Sequence, residues 1–185
     1  MKKNILVGIA LSVTVGLPVM AAEDSESDSE IHQASDNVTI NWQQPKDYTD
    51  VKAANESRSR FLARTLEQFD EIFADLGEQL TAGHSLDITV TDVDLAGQVW
   101  PQQFVGAGSG GGDVRLIKDI DIPRMEFSYE LKHEGVMVKS ADVDLKDMGF
   151  LTTSMRGSDS EPLRFEKRML ERWFSKEFSE QMAEQ

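Results

Sequence analysis

The chain has 185 residues, a formal net charge of −14 from 19 Lys and Arg against 33 Asp and Glu, and no cysteine. The acidic excess argues against nucleic acid and anionic membrane surfaces as partners. The missing thiols exclude disulfides, thiolate zinc sites, iron–sulfur clusters and a cysteine nucleophile.

The amino end carries the strongest signal. Lys2 and Lys3 precede an almost unbroken apolar run over 5–19, and Val19 and Ala21 stand at −3 and −1 of a cut after Ala21. This three-part layout predicts a secretory signal peptide over 1–21, cleaved near Ala21 or Ala22. A retained anchor is the alternative, but the run is short for a membrane span. The expected destination is the periplasm, with no stable membrane anchor after processing. Residues 22–36 are acidic and Ser-rich and read as a disordered linker. His32 stands alone in it and reads as inert.

A single domain is expected over 37–182. Residues 38–42 alternate, placing Val38, Ile40 and Trp42 on one face of a first strand. Pro45 turns the chain. Thr49 or Asp50 then suits the N-cap of a helix over 51–80; a ligand role for Asp50 near the helix end is the less favoured alternative. Phe61, Leu62, Leu66, Phe69, Ile72, Phe73, Leu76 and Leu80 form its apolar stripe. Gly83 stops the chain ahead of His84, a turn residue with no second histidine nearby.

Residues 86–97 read LDITVTDVDLAG. Leu86, Ile88 and Val90 share a face, and unbroken parity carries Asp92 and Asp94 to that face. Either the strand ends or bulges near Thr91, or two carboxylates sit at the rim of the apolar face, where they need a cation, an arginine or backbone donors. The Gly-rich loop 106–112 lacks the Gly-Lys-Ser/Thr ending of a phosphate loop and reads as a flexible connection flanked by Trp100 and Phe104. A strand over 114–122 ends at Pro123. Met125, Phe127, Tyr129 and Leu131 then alternate, residues 132–135 turn, and 136–145 return as a hairpin. His133 falls at its exposed tip.

The return strand carries Ala141-Asp142-Val143-Asp144-Leu145, which echoes Thr91-Asp92-Val93-Asp94-Leu95, with Asp147 just beyond. If the two strands are neighbours, Asp92, Asp94, Asp142 and Asp144 converge. Such a set takes calcium or magnesium, or pairs with Arg124, or consists of unrelated solvated acids. In the last helix, capped by Asp159 or Ser160, an apolar stripe through Met169, Leu170, Trp173, Phe174 and Phe178 is broken by Glu166. Arg164, Arg168, Arg172 and Lys176 stand four apart as a basic ridge. The ridge either pairs with the protein's own acids, among them Glu161, Glu171 and Glu177, or grips an anion or an acidic partner.

Five strings together resemble the DUF3016 family: Tyr48-Thr49-Asp50, TDVDLAG at 91–97, Pro123-Arg124, Lys146-Asp147, and Phe165-Glu166-Lys167 with Leu170 and Trp173-Phe174. The likeness spans about 38–178. It implies a small exported bacterial protein, and it transfers no active-site residue, because the family's function is not known.

The pattern as a whole predicts an α+β fold: a mainly antiparallel sheet of four or five strands with two long helices on one face. The expected order is β-α-β-β-β-β-α. The leading functional expectation is a non-catalytic binding or accessory module of the cell envelope, with an envelope protein or a small ligand as partner and no cofactor. The alternative is a cation-dependent hydrolase at the Asp cluster. It lacks a convincing base or nucleophile, since no paired-histidine or Gly-x-Ser-x-Gly motif is present. A purely structural envelope protein is the third reading.

Overall fold

In a computed structural model, residues 28–104, 112–152 and 161–182 are described. The expected signal peptide and its cleavage site, most of the Gly-rich loop and the Asp159/Ser160 cap lie outside the described residues.

The main sheet has five strands: β1 (Ser29–Ser35), β2 (Val38–Gln43), β3 (His84–Asp94), β6 (Arg124–His133) and β7 (Val136–Lys146), in the spatial order β1-β2-β3-β6-β7. Between β3 and β6 in the chain, β4 (Gln98–Pro101) and β5 (Asp113–Leu116) form a separate two-stranded hairpin. Two helices complete the described fold, α1 (Arg58–Gly77) and α2 (Arg164–Glu177).

The fold is α+β, and its main sheet is mixed. Pairs β1/β2, β3/β6 and β6/β7 are antiparallel, whereas β2 and β3 run parallel with Ile40 beside Ile88. Parallel neighbours need a crossover, and α1 supplies it. This parallel pair corrects the mainly antiparallel expectation in its detail. The β6–β7 hairpin follows its alternation, with the turn at Glu134 and Gly135, φ 50° and 77°.

Three boundaries differ from the sequence reading, each for a physical reason. Residues 29–35 form a strand where a disordered linker was expected. Their apolar signal is weak because Ile31 faces solvent, and backbone pairing to β2 plus a 2.6 Å contact between His32 Nδ1 and Asp70 of α1 hold them. Helix α1 starts at Arg58, with Ser57 as N-cap, and the residues before it are tied to β5 instead: the Asn55 amide exchanges hydrogen bonds with the Asp113 backbone at 2.6 and 2.9 Å. Strand β5 ends at Leu116, six residues short of the expected end.

One face of the sheet makes the core. Val38, Ile40 and Trp42 of β2, Leu86, Ile88 and Val90 of β3, and Met125, Phe127, Tyr129 and Leu131 of β6 pack in one cluster with Leu66, Phe69, Phe73 and Leu76 of α1 and Met169, Leu170 and Phe174 of α2. Gly77 permits the close approach of α1 to the β1–β2 turn, since a Cβ there would stand 2.3 Å from Val38 Cγ2. Trp173 is half-buried and sits edge-on to Phe127 at 4.8 Å. The other face carries Thr89, Glu126, Ser128, Asp142 and Asp144 toward water, as a one-sided sheet requires.

Phe73 is fully buried and edge-on to Phe127. Phe73→Ala is expected to cost about 3–5 kcal/mol, the usual range for emptying a packed aromatic site, and to lower the urea midpoint accordingly. An unchanged midpoint would mean that the buried face of α1 is misassigned.

Candidate functional site

The site is built at the carboxyl end of β3, where the strand makes a bulge. Val90 pairs with Phe127 but Asp92 pairs with Glu126, leaving Thr91 as the extra residue, and Thr91 Oγ1 donates to the Glu126 carbonyl at 3.1 Å. A bulge reverses the side-chain parity that follows it. Val93 and Leu95 therefore continue the core, and Asp92 and Asp94 go to the opposite face from Leu86. Of the two geometries open to the sequence, the bulge is the one adopted.

Every residue of TDVDLAG is engaged. Asp92 accepts from the Thr49 backbone N–H and hydroxyl, both at 2.7 Å. The Asp50 N–H donates to the Val93 carbonyl at 3.3 Å, and the Tyr48 hydroxyl to that of Val90 at 3.1 Å. Asp94 stands 3.9 Å from Arg124. Its carboxyl is pushed up by burial and by Asp50, with Arg124 opposing. Gly97 has φ 80°, and a Cβ on it would stand 2.4 Å from the Leu116 carbonyl oxygen, so the β3–β4 turn requires glycine there.

Arg115 of β5 ties these segments together. Its Nη1 donates to Asp50 Oδ2 at 2.8 Å and to the Gly97 and Ala96 carbonyls at 3.0 and 3.3 Å. Its Nη2 donates to the Asp50 and Lys52 carbonyls at 3.2 and 3.1 Å. The Asp50 and Arg115 side chains retain only 11% and 20% of their exposure, against 27% and 51% for Asp94 and Arg124. Losing one partner of a buried pair costs about 3–5 kcal/mol, whereas an exposed pair contributes about 0–1 kcal/mol. The Arg115 pair therefore dominates, and Asp50 is neither helix cap nor open ligand but the counter-ion of a buried guanidinium.

Beside this junction lies a cleft of about 610 Å³ between the first turns of α1 and α2 and the β3–β4 turn. Phe61, Leu95, Ile117 and Phe165 give it apolar walls, and Lys52, Arg64, Arg115 and Arg164 give it positive charge. Each phenylalanine carries an arginine over its ring: Arg64 lies 5.5 Å from the Phe61 centroid, and Arg164 lies 4.4 Å from that of Phe165. Glu166 lines the cleft at 3% exposure, and its Oε1 accepts from the Ala96 N–H at 2.7 Å. Burial pushes its carboxyl up, against the pull of the Ala96 and Glu166 backbone N–H groups and of Arg115 and Arg164.

The other expected site residues divide. Asp92 and Asp94 do not meet Asp142 and Asp144, because β6 runs between β3 and β7: Glu126 pairs with Asp92 on one side and with Asp144 on the other. The condition on which the four carboxylates would converge, that the two strands be neighbours, is therefore not met. Among the described residues no group of three or more His, Asp or Glu side chains is placed to hold a metal ion. Asp142 is exposed, and Asp144 accepts from Lys146 at 3.0 Å. Asp147 is buried and accepts from Arg172, with Arg168 at 3.8 Å. Arg168 also donates to the Phe150 carbonyl. Two members of the basic ridge thus hold α2 onto the end of β7, Arg164 lines the cleft, and Lys176 is exposed.

Sequence reading missed Arg115 and the role of Glu166. For Arg115 no local signal existed, because its partners are 18 to 65 residues away. For Glu166 there was one: a lone carboxylate interrupting an apolar stripe. Trp42 is fully buried on the face it shares with Val38 and Ile40, and its indole N–H donates to Asp70 at 3.2 Å. Phe104 is exposed, and Trp100 lies under Lys118.

The fold and this junction define a small α+β protein whose shared sequence strings converge on one end of the sheet. A family model described as a protein of unknown function, DUF3016, matches residues 36–176, and the chain belongs to that family. No curated protein and no solved structure matches it.

The Glu166 carboxyl predicts a pH dependence of definite sign. With its folded value raised above the ordinary 4.5, the native state holds the proton more tightly than the unfolded chain. Its stabilisation is full below about pH 4.5 and is lost as pH rises through the folded value. Each tenfold difference in proton affinity is worth about 1.4 kcal/mol. Glu166→Gln keeps an acceptor for Ala96 and removes the titration. Measured by urea unfolding, the variant is expected to gain stability relative to the parent between pH 4.5 and 7.5. A difference that is constant or shrinks over this range would refute the assignment.

Proposed function

We propose that this DUF3016 protein is an exported, non-catalytic binding module of the cell envelope, and that it takes a small amphipathic anion in the cleft between α1 and α2. The carrying observation is the composition of that cleft: Lys52, Arg64, Arg115 and Arg164 stand on apolar and aromatic walls in a chain of net charge −14, and although Arg64 pairs with Glu56 and Arg115 with Asp50, these cations outnumber the two carboxylates of the lining, Glu161 and Glu166. A concave apolar site with a few fixed polar groups is the usual form of a ligand pocket. Guanidinium groups over aromatic faces suit a ligand with a flat apolar body and one carboxylate, sulfonate or phosphate group. The uncovered sheet face and the α2 ridge suit this role less well. The face is flat and acidic, and Arg168 and Arg172 are spent on Asp147 and Phe150. A hydrolase at the Asp cluster gains no support, since β6 divides its four carboxylates.

The probe 8-anilinonaphthalene-1-sulfonate has the required chemistry. Titrated into the folded, processed chain, it is expected to show one saturable fluorescent site. Arg164→Glu is expected to weaken that site about tenfold or more, a change on the order of 1.4 kcal/mol. Arg60→Glu, exposed on α1 and not part of the cleft wall, is expected to leave it unchanged. Near- and far-UV circular dichroism of each variant guards against dye binding to a loosened core. No saturable site, or equal binding by Arg164→Glu, contradicts the proposal.

A further inference from the structure

Two of the three histidines, 49 positions apart in the chain, meet at the opposite end of β3 from the cleft. His84 opens β3 and pairs directly across from His133, the last residue of β6. Their rings are in contact, with centroids 4.5 Å apart and planes tilted by 31° to each other. The cleft is roughly 33 Å away along β3, at about 3.3 Å per residue.

The proton positions follow from the neighbours. His84 Nδ1 lies 3.1 Å from the Thr81 carbonyl oxygen, which only accepts, and 2.9 Å from Thr81 Oγ1, whose own proton goes to the Gln181 carbonyl at 3.1 Å. Nδ1 is therefore the N–H of the neutral ring, and Nε2 carries the lone pair. A backbone carbonyl that fixes the tautomer in this way is the second shell found behind metal-binding histidines. The His133 ring is exposed and lies against the ring of His84. Its Nε2 and the Glu134 carboxylate Oε1 both come over the Gly83 backbone, at 3.2 and 2.5 Å from where a Cβ of residue 83 would stand. A carboxylate thus lies beside the imidazole pair.

We propose that His84 and His133 form a site for one borderline divalent transition metal of the Zn²⁺, Cu²⁺ or Ni²⁺ class, for which neutral imidazole is the matched ligand. The two rings supply two ligands and Glu134 adds a favourable charge. No third side chain of the described residues completes the set, so water fills the remaining positions. Hard cations such as calcium and magnesium, which prefer all-oxygen shells, are not taken. In an acidic chain without thiols, an imidazole pair is the chemistry that discriminates for such metals.

The test uses the untagged, processed chain, with ZnCl₂ followed by isothermal titration calorimetry and CuCl₂ by electron paramagnetic resonance. The parent is expected to bind one Zn²⁺ per chain at pH 7.5 and to show nitrogen hyperfine coupling from two imidazoles with Cu²⁺. His133→Asn, at an exposed position, is expected to weaken Zn²⁺ binding at least tenfold and to leave one-nitrogen coupling. His32→Asn, which removes the histidine paired with Asp70 on α1, is expected to behave as the parent. Absence of Zn²⁺ binding in the parent up to millimolar concentration, full affinity in His133→Asn, or loss of the site in His32→Asn would overturn the proposal.

Discussion

The largely buried guanidinium of Arg115 is the constraint on which this end of the molecule depends. Taking an arginine out of water is unfavourable unless its donors are met and its charge is balanced. Here one carboxylate, Asp50, and four backbone carbonyls from two other stretches of chain meet it. That demand explains why 50–52 stay tied to β5 rather than joining α1, and why the β4–β5 hairpin is fastened beside the main sheet without joining it. It also sets the floor of the cleft, since Ala96, whose carbonyl Arg115 holds, offers its N–H to Glu166 and so docks the first turn of α2.

Much of the architecture was legible in the sequence because it rests on periodicity. The stripe from Leu62 to Leu76, the alternation from Met125 to Leu131 and the turn at Gly135 are local signals, and each lies where its pattern places it. What was illegible rests on long-range pairing. β1 has little apolar face to announce it and is held by β2 and by Asp70. The echo between the two Asp-Val-Asp-Leu segments suggested adjacency, but one sits after a bulge and the other on an edge strand, with β6 between them. Short identical strings record similar local demands, a half-exposed strand end, and carry no information about neighbours.

The candidate site was legible only in part. Asp50, Asp92, Asp94 and Arg164 were singled out, and Arg124 was offered as a partner for the Asp92/Asp94 pair and stands beside Asp94, but three other partners were not foreseen: Thr49 for Asp92, Arg115 for Asp50 and the cleft for Arg164. The strings that resemble the family now have separable roles. Tyr48-Thr49-Asp50 and TDVDLAG lock to each other through backbone and carboxylate hydrogen bonds, and Lys146-Asp147 is locked to α2 through Arg172. Phe165 and Glu166 face the cleft. The locking strings build a rigid frame, and the cleft is the concave surface that the frame presents. The acids of the two Asp-Val-Asp-Leu segments are divided by β6, and the proposed binding role rests on the cleft instead.

The most direct test of this dependence is native-state amide hydrogen exchange in the parent and in Arg115→Met. The amides of Asp50, Ala96 and Gly97, which donate to Val93, Glu166 and Asp121 respectively, are expected to be protected in the parent. In the variant they should exchange by local opening, while the Val90 and Phe127 ladder amides between β3 and β6 keep their protection. Free exchange at Ala96 in the parent, or a variant in which every amide accelerates together, would contradict the placement of Arg115 at the centre of the site.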